Sequence, residues 1–392
     1  MDQLALDIIK TALYNAPVTK GTVTLEILDQ FREHTLHALV ADAVLKYDMA
    51  SGVREKVEQY LALQMKQYAE YMSEQGRVVK TLLKEGVIPV ILKGSSSAMY
   101  YPEPGLRAMG DIDLMVFPKN DESFDIARKT LCGMGFMESE EQEQRLLNLN
   151  KGKLEIEMHR VFTNSRTQNE KRIEELLCNS TPVEQCVSGS SHVFYSFPVQ
   201  VNGIILLEHI SRHIYSGLGL RQIIDWLMYV DAVLNEDFWA NKFRPIVSKV
   251  GLETLAKVTT RMGEIYLGTP QHAWCSDVDE ACCEQLFQLI DEAGNFGRSL
   301  NFKDKSTKSV LNDRITFKKL QQRGLKNWPA AQKHKLLRPF AWLYQICRYI
   351  KKGLKRDKNS AGLVKNYKEH RKQKQLFAAL GIPHEEEKMA KH

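Results

Sequence analysis

The sequence predicts an α+β protein, with a small mixed-sheet core flanked by helical N- and C-terminal parts. Three observations carry this expectation. Apolar residues recur at three- and four-residue spacing through roughly the first 85 positions and again from Asn202 onward. Between these stretches, short β-branched runs bounded by glycine and proline replace that period. The 392 residues are 43% hydrophobic and 26% charged, the balance of a globular chain with a real core. That length suits about two or three domains.

The elements follow in order. "TLEILDQFREHTLHALVADAVLKY" and "VREKVEQYLALQMKQYAEYMSEQGRVVKTLLKEG" read as amphipathic helices, the second ending at Gly86. "VIPVILK" (Val87–Lys93) reads as a buried strand, and "SSSAMYY" as a helix start with a serine at its N-cap. "PEPG" breaks the chain, "DIDLMVF" alternates as a strand, and "DESFDIARKTLCGMGF" returns to a helix. "RLLNLNKGKLEIEMHRVF" reads as a hairpin turning at Asn150–Lys153. Four further helical runs lie between Asn202 and Gly268. The implied domains are a helical region over 1–85, an α/β core over 86–200, a helical region over 201–310 and a basic tail over 311–392.

Charge is uneven. The net value is +6, yet the span from Arg314 to Lys374 holds 19 Lys or Arg against Asp357 and Glu369, so the rest of the chain is net acidic. Such a tail suits an anionic surface. Within it, Leu336, Phe340, Leu343, Cys347, Ile350 and Leu354 form one apolar stripe at helical spacing, with Lys351, Lys352, Lys355 and Arg356 at its end. A helix packed on its own domain is the plainer reading, peripheral contact with an anionic membrane the next, and nucleic acid the weakest. The closing "EEEKMAKH" is expected to lack order.

Several function classes are excluded or disfavoured. The seven cysteines include no C-x-x-C pair, which argues against a zinc knuckle or disulfide framework. There is no G-x-S-x-G for a serine hydrolase and no P-loop. No apolar run reaches the roughly 18 residues of a membrane span. The N-terminus lacks a signal-peptide pattern, so a cytoplasmic protein is expected.

The chemistry concentrates in "VILKGSSSAMYYPEPGLRAMGDIDLMV". In a strand, Asp111 and Asp113 project on one face. Close carboxylates repel unless a cation lies between them. Mg²⁺ takes such oxygen ligands together with substrate phosphates. Glu155 and Glu157 of "KLEIEMHR" share a face in the same way, and either can complete an acidic triad. Gly94 offers close backbone approach to a phosphate, Ser95 and Ser96 offer hydroxyls, and Lys93 and Arg107 offer positive charge.

This stretch resembles the polymerase-beta-type nucleotidyltransferase superfamily, and is most similar to the uncharacterised bacterial nucleotidyltransferase family with an L-K-G…Y-P…R…D-I-D-L core. The resemblance implies a nucleotidyltransferase core with Gly94 and Ser95 as the phosphate turn. It also implies Asp111, Asp113 and Glu157 as catalytic and metal-binding acids, and matches His159 to a family histidine, with Arg160 standing where a tryptophan is usual. The implied reaction passes a nucleoside monophosphate from a nucleoside triphosphate, most simply ATP, to an unidentified acceptor with release of pyrophosphate, using Mg²⁺ or Mn²⁺. The alternative is a catalytically degenerate binding or scaffold protein docked through its basic tail. His209 and His213, one turn apart, and an Arg221–Asp225 pair at i,i+4 read first as structural groups and, as the alternative, as residues lining the acceptor or nucleotide pocket across from the acids.

Overall fold

In the computed structural model, residues 1–139, 145–187, 192–214, 217–294, 334–356 and 375–382 are described, together with seven positions between 321 and 331. The chain divides into two units, Met1–Ser299 with Phe377–His392, and Leu300–Leu376.

The first unit begins α1 (Gln3–Tyr14), β1 (Thr22–Val23), α2 (Leu25–Glu33), α3 (Ala41–Val44), β2 (Asp48–Met49) and α4 (Val53–Lys84). The single helix expected over 24–47 is thus broken. Thr35 takes a left-handed φ of 61°, and Leu36 N–H closes back on Phe31 O at 2.8 Å, ending α2. The small parallel pair β1–β2 carried too short a pattern to be anticipated.

The core continues with β3 (Ile88–Ile91), α5 (Ser95–Ala98), β4 (Ile112–Phe117), α6 (Asp121–Gly133), β5 (Met137–Glu138), β6 (Leu146–Lys151), β7 (Leu154–His159), α7 (Gln168–Cys178), β8 (Val183–Cys186) and β9 (Val193–Ser196). Seven strands form one mixed sheet in the order β5-β6-β7-β4-β3-β9-β8. The α+β class with a mixed sheet and helical flanks is therefore observed. The hairpin turn sits one residue later than expected: Lys151 pairs Leu154, leaving Gly152 and Lys153 at the tip, with Gly152 at φ 62°. β8 and β9 were not anticipated. They extend the sheet beyond β3, where Val90 pairs Tyr195.

Every residue of β4 is buried, because the strand runs between β7 and β3 and is covered by α4 and α6. A solvated acidic edge strand, the plain alternative for Asp-x-Asp, does not describe it. Ile112, Leu114 and Val116 enter the core with Met72, Val79, Phe124 and Leu131, which leaves Asp113 to face the other side.

The helical part comprises α8 (Val199–His213), α9 (Leu220–Val233), α10 (Glu236–Phe238), α11 (Arg244–Lys249), α12 (Glu253–Tyr266) and α13 (Glu280–Ala293), with a π turn at Trp239–Phe243. In the second unit, a 3-10 helix over Lys335–Phe340 leads into α14 (Ala341–Arg356). The α-helix starts later than the apolar stripe does, since Pro339 removes a backbone donor there. Tyr344 stacks on Trp328 and Gln345 accepts from Asn327, while Phe340, Leu343 and Cys347 are exposed. The expected packing of the whole stripe on its own domain does not hold for these three. The side chains of Leu336, Ile350, Leu354 and the basic cluster at 351–356 lie outside the described residues, as do residues 295–320 and the "EEEKMAKH" end. Among the described residues, no helix is long and apolar enough to cross a membrane.

Candidate active site

A cavity of about 300 Å³ opens where β3 stops and β4 begins, beside Glu157 of β7, and α8 and α9 close its far side. Asp111, Asp113, Glu157, Lys93, Gly94, Arg107, His209, His213 and Arg221 all line it, so residues separated by up to 128 positions meet there.

The acidic floor follows from strand register. β4 and β7 pair in parallel with Asp113 opposite Glu157. Asp113, Glu157 and His159 each bring a ligand atom within 4.8 Å of the others. Two carboxylate charges at that spacing repel by about 3 kcal/mol at an effective dielectric of roughly 20. The site answers with a nearby cation and with a raised pKa on one of the acids. Lys93 Nζ lies 2.7 Å from Asp113 Oδ1, and His159 Nε2 lies 3.1 Å from the same oxygen. Although burial pushes Asp113 up, Lys93 and His159 outweigh it and hold the carboxyl well below the usual range. Glu157 is pushed the other way, to about 8, by burial first and then by the Asp113 and Asp111 charges. Asp111 is raised by burial and by Asp113. Glu155 is exposed and is not part of the cavity lining, so of the two glutamates Glu157 is the one beside the aspartates.

His159 is buried among these groups, and burial lowers its pKa, so the ring is neutral near pH 7. It holds Asp113 in place through Nε2. His209 and His213 meet edge to face at 4.5 Å, and burial lowers both, His213 to about 4. They form a neutral patch of the cavity wall. Neither belongs to the Asp113–Glu157–His159 cluster, which is the metal-competent group found among the described residues.

The glycine turn differs from expectation in how it works. Gly94 has φ 65°, and a Cβ built there would lie 2.2 Å from the Tyr71 hydroxyl. Glycine is therefore required by Tyr71 on one side, while the turn faces the cavity on the other. Ser95 spends its hydroxyl on Gln75 Oε1 at 2.9 Å, and Ser95, Ser96 and Ser97 are all buried. The first helical position is Ser95, with Gly94 as the cap and no side-chain capping bond. Of the Gly-Ser turn, Gly94 is the residue that lines the cavity.

Arg107 differs too. It forms a two-pronged pair with Asp225, Nε to Oδ1 and Nη2 to Oδ2, both at 2.7 Å. Tyr101 donates to the same Asp225 Oδ1 at 2.8 Å. The partner expected for Asp225 was Arg221, four residues earlier. Arg221 instead donates from Nη1 to Ala108 O at 3.0 Å, and burial lowers its pKa. A planar guanidinium that meets a carboxylate with two parallel bonds outcompetes a helical i,i+4 neighbour. Arg107 thus fastens the 104–111 loop to α9, and Gln64 holds the same loop through the carbonyls of Gly105 and Arg107.

Comparison with known families agrees with this geometry. Residues 24–268 match the family described as Uncharacterised nucleotidyltransferase. The chain belongs to that family. It is an enzyme of the nucleotidyltransferase type, acting on a nucleoside triphosphate and an acceptor. No curated protein and no solved structure matches the chain.

The matched span takes in both faces of this nucleotidyltransferase site, from α4 and the sheet to α8, α9 and α12. Sequence reasoning missed four of its residues. Tyr71 on α4 braces Gly94, and its hydroxyl reaches the Asp111 carbonyl at 3.5 Å. Arg145, Asn148 and Arg212 line the cavity. A signal for Arg212 was present: "HISRH" places His209, Arg212 and His213 on one face of an otherwise apolar helix.

Proposed function

We propose that this enzyme transfers a nucleoside monophosphate from a nucleoside triphosphate, most simply ATP, to an acceptor hydroxyl or phosphate, with Mg²⁺ or Mn²⁺ held by Asp111, Asp113 and Glu157. The observation that carries the reading is the register that puts Glu157 level with Asp113 inside a cavity that also contains Asp111 and Lys93. An oxygen-rich donor set with a lysine already neutralising one member fits a hard divalent cation. Bound there, such a cation supplies charge neutralisation for the phosphates and a template for in-line displacement.

The chain's own groups do the rest. Lys93, at the end of β3, and Arg221 present positive charge to the donor phosphates, and Gly94 lets them approach the backbone. His159 holds Asp113 in one orientation. Glu157, ionised once a bound cation offsets the charges of Asp113 and Asp111, would take the proton from the acceptor hydroxyl as the acceptor oxygen bonds to the α-phosphorus. The bond from that phosphorus to the bridging oxygen breaks, and pyrophosphate leaves with the electron pair. His209, His213 and Asp225 with its partner Arg107 shape the wall.

The test is incubation with labelled nucleoside triphosphates and Mg²⁺ or Mn²⁺, reading pyrophosphate release and label transfer. The Asp111→Asn, Asp113→Asn double variant is expected to remain folded by circular dichroism and to lose turnover. Turnover retained in that variant removes the assignment of the acids.

A second proposal concerns docking, and is supported by the exposure of Phe340 at 57% and Leu343 at 46% beside a strongly basic sequence. We infer peripheral attachment to an anionic membrane through α14. Co-sedimentation of the full chain with phosphatidylserine vesicles is expected to fall in a Phe340→Ser, Leu343→Ser variant. Equal sedimentation of the two proteins ends the idea.

A further inference from the structure

The order of strands across the cavity floor separates two positively charged regions. Lys93 and Gly94 follow β3, Asp111 and Asp113 belong to the β4 segment, Glu157 is on β7, and Asn148 is on β6 with Arg145 just before it. Asn148 pairs directly with Glu157 in the β6–β7 ladder. Adjacent strands lie about 4.8 Å apart, so the β3 end and the β6 end are separated by about 14 Å. A triphosphate held at the β3 end leaves the β6 end free for the other substrate.

Arg212 of α8 reaches the same end. Its guanidinium carbon lies 4.6 Å from the centre of the Phe162 ring, just beyond β7, and the His159 ring is 6.0 Å from that of Phe162. Stacking on an aromatic face fixes a guanidinium while leaving its N–H edge available. Arg212 Nε and Nη2 are both buried and have no hydrogen-bond partner. Glu208 Oε1 stands 3.9 Å away, outside hydrogen-bonding range. Buried donors without a partner destabilise the fold. A protein keeps such groups where a ligand completes them.

We propose that the acceptor carries an oxyanion, of the phosphate monoester type, and that Arg212, with Arg145 and Asn148 beside it, binds that group next to Glu157. This inference rests on the proposed function, because it assumes that the donor triphosphate occupies the β3 end. The fork of Arg212 matches two oxygens of one phosphate, and Glu157 then stands beside the acceptor's reacting hydroxyl. The acceptor class is thereby narrowed to small anionic molecules, such as sugar phosphates, in preference to neutral sugars.

The experiment fills the donor site with Mg²⁺ and a non-transferable α,β-methylene analogue of ATP, then titrates inorganic phosphate by calorimetry. Phosphate is expected to bind the loaded wild type. Arg212→Gln is expected to weaken that binding at least tenfold while changing analogue affinity less than twofold. Arg212→Lys, which retains charge without the fork, covers the case of a glutamine variant that does not fold, and is expected to lose an intermediate amount. Phosphate that competes with the analogue, or fails to bind the loaded protein, overturns the inference and leaves the proposed function standing. So does a variant that weakens analogue and phosphate equally, because Arg212 then belongs to the donor site. Failure of the wild type to bind the analogue with Mg²⁺ overturns the proposed function itself, and the acceptor site with it.

Discussion

Two buried charge clusters lie side by side in this enzyme and behave in opposite ways. Around Arg107 and Asp225, each carboxylate oxygen meets a guanidinium N–H at 2.7 Å, and Tyr101 adds a third donor. Around Asp113, acids crowd one another, Lys93 neutralises one of them, Glu157 is driven up to about 8, and Arg212 leaves donors unmatched. The first cluster is complete within the protein. The second keeps a raised acid and buried donors without partners, which the proposed cation and acceptor would complete. The contrast separates a structural ion pair from a site, although both present Arg, Lys and Asp at low exposure.

The largest effect is expected from breaking the closed cluster. Asp225→Asn leaves Arg107 buried without its counter-charge, which typically costs about 3–5 kcal/mol. Chemical denaturation is expected to show a loss of that size. A loss below about 1 kcal/mol would mean that the loop over 104–111 is held mainly by Gln64 and by packing, and the contrast drawn above would weaken.

The open cluster is expected to lose activity above all. Removing one preorganised charged group from a phosphoryl-transfer site costs about 10²–10³ in rate. Asp113→Asn is therefore expected to lower turnover by at least that factor. Its stability is expected to fall as well, because Lys93 loses its 2.7 Å partner, though by less than in Asp225→Asn, since the change also relieves the repulsion from Glu157 and Asp111.

Acid adds a third measure. Burial, reinforced by Lys93, lowers His213 from its ordinary 6.5 to about 4. The unfolded chain accepts a proton on that ring before the folded one does. Its contribution is therefore fully present above pH 6.5 and is lost as pH falls from 6.5 toward 4, up to about 3 kcal/mol. Urea unfolding at pH 7.5 and at pH 4.5 is expected to show this slope, and His213→Asn is expected to flatten it. An unchanged slope would place the titration elsewhere.

The smallest effect has the opposite sign. Asp111 is raised by burial and by Asp113, so its charged form is a cost to the folded state at neutral pH. Asp111→Asn is expected to stabilise the metal-free protein, read as a higher thermal midpoint without added metal. Destabilisation by that change would show that Asp111 is satisfied within the protein, like Asp225.

Local pattern made much of the site legible. Alternation placed Asp111 with Asp113 and Glu155 with Glu157 on single faces, and Gly94 marked a turn before the serines. The face periodicity of α4, α8 and α9 announced the helical flanks. Other features were out of reach because they join distant segments. Asp225 has both Arg221 and Arg107 as candidate partners, and sequence spacing favours the nearer one. The choice falls to Arg107, 118 positions away, because the loop carrying it docks on α9 in the right orientation. Tyr71 gives no hint in its own surroundings that Gly94 must be bare.

What the chain's order of residues settles alone is therefore periodicity, and with it which side chains share a face and where the backbone must turn. Which of two equivalent glutamates meets the aspartates depends on the register of β4 against β7, and which arginine is spent or left unmatched depends on helices folding back over the sheet. Those outcomes are long-range. They are fixed by competition between packing, desolvation and charge pairing that exists only once the segments have come together.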